Sequence, residues 1–283
     1  MTIYPFIVHL GPLEVTGYGL MLMVAFLMGG WLIARQLRES QLREDYAADI
    51  VAAAVIGGII GAKLWYVALT RDPGALFSRG GLVWYGGFLG GAAAVMLNGW
   101  RLRVPLRWTM QLAAPALAAA YALGRVGCFL VNDDYGRPTT LPWGVKFPQG
   151  LPPSTAGNLH QLFGVPMPPG IDSSTVMAVH PTQLYEVAAM LIVYAILWSL
   201  RRRGHPVGWL FGLYLILAGV ERFLVEIVRA KDDRFLGPFT LAQLASVVLV
   251  VIGVLLVSLW RRAAGPMPGT YLETGRKPAL SNT

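Results

Sequence analysis

WTMQLAAPALAAAYALGRVGCFLV, residues 108–131, carries one charged side chain, Arg125, close to its end. A helix that crosses a ~30 Å hydrocarbon core needs about 20 mainly apolar residues, and this stretch meets that length. Six others do the same: residues 17–34, 47–69, 82–99, 182–200, 207–229 and 239–260. The chain of 283 residues is 55% hydrophobic and 13% charged, where a soluble domain carries about a quarter charged residues. Water is the wrong solvent for most of it. The expected fold is an all-α polytopic membrane protein with about seven transmembrane helices.

The net charge of +8 would suggest nucleic acid in a soluble chain, but its distribution gives another reason. Arg35, Arg38 and Arg43 follow the first stretch, and Arg101, Arg103 and Arg107 lie between the third and fourth. Arg201, Arg202 and Arg203 follow the fifth, and Arg261, Arg262, Arg276 and Lys277 follow the seventh. These alternate loops hold more than half of the 23 Lys and Arg residues. The other loops are mixed in sign, as in Lys231-Asp232-Asp233-Arg234. The positive-inside rule then sets the N-terminus outside and the C-terminus in the cytoplasm, so no nucleic-acid partner is expected. The opening MTIYPFIVHLGPLEV lacks the basic, apolar and small-residue succession of a signal peptide. One cysteine excludes an internal disulfide, and four scattered histidines give no metal-ligand spacing.

Residues 5–16 read as a short external arm with turns at Pro5 and Gly11-Pro12. Gly57xxxGly61, Gly86xxxGly90 and Gly87xxxGly91 have the small-residue spacing that lets helix backbones approach in lipid. Pro115 is expected to kink its helix. Residues 1–263 read as one seven-helix membrane domain. It has an irregular external loop domain over about 132–180, rich in Pro, Gly, Ser and Thr. Residues 264–283 read as a disordered cytoplasmic tail. No internal repeat of the kind found in many transporters is present.

Ionisable residues at membrane depth mark function. At ~1.5 Å per residue, Lys63 lies ~24 Å along the second stretch, Arg125 ~25 Å along the fourth and Arg222 ~22 Å along the sixth. Glu186 lies ~6 Å into the fifth, which runs the other way, and Tyr85 about as far into the third. All fall in the outer third of the bilayer, which reads as one site. In "ERFLVEIVR", 221–229, Arg222 and Glu226 share a helix face, and Arg229 follows one turn later. A cluster of Arg125, Arg137 and Arg222 suits an anionic group, because the planar guanidinium fork matches phosphate oxygens. A phospholipid headgroup is the expected ligand. Tyr18, Tyr185 and His180 read equally as interfacial side chains.

Five stretches, in order, resemble the bacterial prolipoprotein diacylglyceryl transferases: "LGPLEVTGYGLML", "GLVWYGGFLGG", "GRVGCFLVNDDYG", "HPTQLYE" and "RFLVEIVR". The resemblance covers about residues 4–260. It implies transfer of the diacylglyceryl group of phosphatidylglycerol to the thiol of a lipobox cysteine in a prolipoprotein signal peptide, releasing glycerol phosphate. It further implies no cofactor and a multi-pass place in the bacterial inner membrane, with the lipid bilayer as surroundings. By motif match Arg125 and Arg222 bind the phosphate, with Glu226 orienting Arg222. Tyr18, Lys63, Arg137, Gly136, His180 and Glu186 join the lipid site on the same reading. Cys128, Asp133 and Tyr85 stand where many members have Asn, Glu and His. The base stays open among Tyr85, Asp133, Glu226 and His180. A lipid-binding or transporting membrane protein with the same arginine-lined cavity is the alternative reading, and an inactive homologue a third.

Overall fold

The structure is a computed structural model, and it describes residues 1–11, 13–77, 81–230, 234–237, 239–261 and 265–273. It is mostly helical. The helices are α1 (Gly17–Glu39), α2 (Tyr46–Thr70), α3 (Trp84–Arg101), α4 (Leu106–Leu130), α5 (Ala156–Gln161), α6 (Thr182–Leu200), α7 (Trp209–Glu226), α8 (Leu241–Arg261) and α9 (Thr270–Glu273). Each of the seven apolar stretches is a helix within a few residues of the expected bounds. Five of them, α1, α2, α4, α6 and α8, are long and apolar enough to cross a membrane. That makes the chain a polytopic helical membrane protein, with five such spans where about seven are expected. α3 and α7, at 18 residues each, fall outside for legible reasons. α7 carries Glu221, Arg222 and Glu226, and α3 is diluted by glycines, Asn98 and Arg101.

The chain divides into two compact units where a single membrane domain is expected. One unit comprises Met1–Met28, Leu117–His205 and Trp209–Arg262. Its N-terminal arm is an antiparallel hairpin, β1 (Ile7–Leu10) with β2 (Leu13–Thr16), in the register Ile7↔Thr16. α7 packs on α8 through glycines. A Cβ on Gly219 would stand 2.8 Å from the Ser246 carbonyl oxygen, and one on Gly253 2.6 Å from that of Gly212. Small residues are what let backbones come this close. β3 (Arg234–Leu236) and β4 (Phe239–Thr240) form a second short hairpin before α8.

The segment 132–180, read from the sequence as an irregular loop domain, is built on its own core. Tyr135, Val145, Phe147, Leu159, Val179 and Ala230 are buried together, with Phe129 and Phe163 packed against them. Tyr135 stacks on Phe147 at 5.6 Å between centroids, and the isolated bridges Val145↔Val179 and Thr155↔Val176 tie the strand-like pieces together. Thr155 caps α5, accepting a hydrogen bond from Asn158 N. Burial of these aromatic and branched side chains, worth roughly 1.5–3 kcal/mol each, is what orders so Pro- and Gly-rich a segment.

The other unit comprises Gly29–Ala116, Pro206–Gly208 and Ala263–Thr283. Here α2 lies on α3 through the small residues singled out above: a Cβ on Gly57 would fall 2.6 Å from the Gly90 carbonyl oxygen. The tail departs from expectation. Trp108 Nε1 donates to the Pro266 carbonyl at 2.9 Å, Tyr271 donates to Asp49 Oδ2 at 2.5 Å, and Leu272 of α9 is fully buried. Pro266, Tyr271 and Leu272 are thus tied to the rest of this unit, and 264 and 274–283 lie outside the described residues, as does the basic Arg262.

Candidate active site

α4 ends at Leu130, and its last carbonyls are met locally: Val131 N donates to Gly127 O and Asp133 N to Cys128 O. Asn132 and Asp134 then each take a left-handed backbone, φ +60°, which Asn and Asp adopt more readily than other L residues. Asp134 N donates to Asp133 Oδ1 at 2.7 Å. The first aspartate closes the turn and the second is folded back over the end of α4.

α6 holds this turn from the other side. Thr182 Oγ1 donates to the Asp134 carbonyl at 2.8 Å and Gln183 Nε2 to the Asp133 carbonyl at 2.5 Å. Thr182, Gln183 and Glu186 are all fully buried. Wholly unpaired, such groups would be costly; here Thr182 Oγ1 and Gln183 Nε2 fix the backbone that carries Asp134, while Gln183 Oε1 has no hydrogen-bond partner among the described residues. α7 closes with a tight turn, Ile227 N to Leu224 O and Val228 N to Val225 O, three residues earlier than the expected helix to 229. Past that turn the backbone pairs with Gly136 in the bridge Gly136↔Arg229, so Arg229 is presented by an extended segment.

The charges close into a ring. Arg125 pairs with Glu186, and Arg222 Nη1 lies 3.5 Å from the other oxygen of Glu186. Arg222 Nη2 pairs with Glu226 at 2.5 Å, and Glu226 lies 3.5 Å from Arg229 Nη1. Arg229 then pairs with Asp134, and Asp134 returns to Arg125 at 2.9 Å. Three guanidiniums thus alternate with three carboxylates. Tyr121 donates to Glu186 at 3.1 Å, and Arg125 Nη1 to Cys128 Sγ at 3.4 Å. Glu186 and Glu226 are inaccessible, while the side chains of Asp134 and Arg222 are 37% and 22% exposed. One edge of the ring is therefore open.

Asp133 and Asp134 differ sharply. Burial, then the charge of Asp134, pushes the Asp133 carboxyl above the usual range. Burial also acts on Asp134, but Arg229 and Arg125 outweigh it and hold that carboxyl low.

The ring contains Arg125, Arg222, Glu226 and Glu186 from the sequence reading, and it replaces Arg137 with Arg229. Arg137 is exposed and its Nε donates to the Arg229 carbonyl at 3.3 Å, bracing the ring from behind. Gly136 is explained by packing: a Cβ there would stand 2.7 Å from both His180 Cβ and the Val228 carbonyl oxygen. His180 Nδ1 lies 3.1 Å from the Tyr185 hydroxyl, which accepts from Trp143 Nε1 at 2.8 Å, and burial lowers the imidazole pKa. Tyr18 is half-exposed in the first turn of α1, within electrostatic reach of Arg125, Cys128 and both aspartates. Lys63 and Tyr85 belong to the other unit, on α2 and in the first turn of α3, where the exposed Tyr85 ring meets Trp84 edge-on at 5.3 Å. The sequence reading leaves out Asp134, Tyr121 and Gln183, and carries Arg229 only as the residue one turn past the Arg222–Glu226 pair. The Asn-Asp-Asp run after a helix was the available signal for Asp134. Among the described residues no group of His, Cys, Asp and Glu is arranged to hold a metal ion.

The family model described as prolipoprotein diacylglyceryl transferase matches residues 5–259, which includes every residue of the ring. The chain belongs to that family. Three curated relatives, each named phosphatidylglycerol–prolipoprotein diacylglyceryl transferase, are similar over nearly their whole length. That of Nitratidesulfovibrio vulgaris strain DP4 is 31% identical, with 94% of this chain and 96% of the relative covered. That of Cupriavidus metallidurans is 33% identical over 92% and 95%, and that of Clostridium tetani 30% identical over 91% and 98%.

Proposed function

We propose that this chain moves the diacylglyceryl group of phosphatidylglycerol to the thiol of a lipobox cysteine in a prolipoprotein signal peptide. The thiolate forms a carbon–sulfur bond at the glyceryl carbon that bears the phosphate. The carbon–oxygen bond breaks, its electrons stay on the phosphate, and glycerol phosphate leaves with one more negative charge. Preorganised cations aimed at that developing charge are the large catalytic contribution. Arg125 and Arg222 take this role. The single observation that carries the reading is the closed ring, because it fixes both guanidiniums without reorganisation. Arg229 Nε has no hydrogen-bond partner among the described residues and Arg222 Nη1 has only the 3.5 Å approach of Glu186, so the guanidiniums keep donor capacity to spare. Glu186 and Glu226 orient the two arginines.

A thiol of pKa near ~8.5 must lose its proton to attack. The ring carboxylates are each engaged by two arginines and are weak acceptors. Asp133 is outside the ring, and burial with the neighbouring Asp134 raises its carboxyl above the usual range, which makes it a better proton acceptor than the ring carboxylates. The proton passes from the thiol to Asp133. Tyr18 and His180 line the lipid and peptide side of the site. Lys63 as a lipid contact and Tyr85 as a catalytic candidate, both in the other unit, rest on the resemblance alone. Seven spans, with the N-terminus outside and the C-terminus in the cytoplasm of a bacterial inner membrane, complete the reading.

The test is transfer in detergent from phosphatidylglycerol labelled in its diacylglycerol to a lipobox peptide, with a Ser-for-Cys peptide as control. Label on the cysteine peptide alone is expected. No label, from folded protein beside a working relative, would replace transfer with binding.

A further inference from the structure

The unit that does not hold the ring contains a cavity of about 540 Å³ at the turn joining α3 to α4. That volume lies within the about 300–1,000 Å³ of small-molecule sites. Met96, Trp100, Val104, Leu106 and Thr109 line it, together with Arg103. Val104 and Thr109 are buried at its floor, whereas Met96, Trp100 and Leu106 are 49%, 75% and 47% exposed. The floor is held in place by the 2.7 Å hydrogen bond between Thr109 Oγ1 and the Tyr46 hydroxyl. The mouth is thus apolar side chains open to whatever surrounds the chain.

Its charge is one-sided. Arg101 and Arg103 are exposed, and neither has an acidic partner among the described residues. The first turn of α4 contains no acidic residue and instead carries Arg107, whose Nε donates to the Val207 carbonyl at 2.8 Å. A helix N-terminus is the positive end of its dipole and favours an anion. Arg101 and Arg103, two exposed guanidiniums near such an end with no acidic partner among the described residues, repel one another until an anion joins them. Trp100 is the kind of amphipathic ring that settles at headgroup level.

We propose that this cavity binds an anionic glycerophospholipid, with its acyl chain along Met96, Trp100 and Leu106 and its phosphate between Arg103 and the start of α4. A free phosphate would leave the apolar mouth unfilled. The inference rests on the proposed topology, which sets this turn at the cytoplasmic interface, where anionic lipid attracts basic side chains. None of these residues belongs to the ring, so the bound lipid is a resident and not the one consumed.

The probe is phosphatidic acid, added to the delipidated intact chain in detergent, with phosphatidylcholine of the same acyl chains as control and retention read by native mass spectrometry. The wild type and Arg125→Ala should both retain one phosphatidic acid. Arg101→Gln/Arg103→Gln should bind it about 30-fold more weakly, which is about 2 kcal/mol for two arginines at about 1 each. Leu106→Trp, which fills the mouth with the charges intact, should also lose it. Unchanged retention in both variants, equal retention of phosphatidylcholine, or loss in Arg125→Ala alone would overturn the proposal. Transfer from phosphatidylglycerol by Arg101→Gln/Arg103→Gln is expected at the wild-type rate. A wild type that transfers nothing yet retains phosphatidic acid would sink the transferase reading and leave this one standing.

Discussion

Glu186→Gln is the perturbation that the ring makes most informative. Glu186 is fully buried, pairs with both Arg125 and Arg222, and accepts from Tyr121. Glutamine keeps the shape and one acceptor but removes the charge, leaving three guanidiniums against two carboxylates. Breaking a buried ion pair on one side costs about 3–5 kcal/mol. At roughly 2–4 °C per kcal/mol for a chain of about this size, the low end of that range is a fall of about 6–12 °C in thermal midpoint. The loss in rate follows separately. Each arginine proposed to bind the phosphate is equivalent to one preorganised donor, worth about 10²–10³ in kcat, and Glu186 pairs with both. Loss of about 10³ is therefore expected, read with the labelled lipid and peptide assay below the variant's melting temperature. Arg222→Gln should cost as much alone, and the double variant much less than the product of the two, because both changes dismantle one network. Glu186→Gln with a rate within threefold of wild type and an unshifted midpoint would refute the argument that the ring orients the arginines.

Asp133→Asn should abolish transfer, whereas Asp133→Glu retains part of it. The wild-type rate should fall on the acid side with a midpoint above the ordinary ~3.9 of aspartate, since burial and Asp134 raise this carboxyl and the base works only when deprotonated; an acid limb unmoved in Asp133→Glu would count against it. Asp134 behaves oppositely: its lowered pKa contributes stability that is full above ~3.9 and is lost as pH falls toward the folded value. The difference in thermal midpoint between wild type and Asp134→Asn should accordingly shrink at acid pH, and a constant difference would contradict the pairing with Arg229 and Arg125. Gly136→Ala sets a methyl 2.7 Å from the Val228 carbonyl and should break the bridge that presents Arg229, lowering both midpoint and rate; unaltered activity would show that the bridge is slack. Cys128→Ser should keep its activity, since the thiol is a buried neighbour of Arg125 and not a reacting group, and complete loss in a folded variant would revive a covalent role.

The helices were legible because bilayer thickness imposes length and apolarity on them, which is why α6 falls on its expected residues. Arg125, Arg222, Glu226 and Glu186 were legible by the same physics, as charges placed where hydrocarbon should be. What failed was geometry that depends on turns. Whether Asp133 or Asp134 meets Arg125 is settled by two left-handed residues and by Thr182 and Gln183 gripping the carbonyls between, long-range contacts that no spacing rule encodes. Arg229 looked like one more helical turn, yet α7 stops at Glu226 and a strand bridge carries it. The tail looked disordered by composition, but Leu272 and Tyr271 find partners far away in the chain.

The neutrality of the ring has a consequence for turnover. A pocket of bare arginines would grip phosphatidylglycerol well and glycerol phosphate better, since the product carries the extra charge, and each cycle would end with the site blocked. Here every guanidinium already has two carboxylates to return to. On the proposed mechanism the departing anion competes with resident ligands from the moment it forms, so the ring proposed to receive it would also displace it.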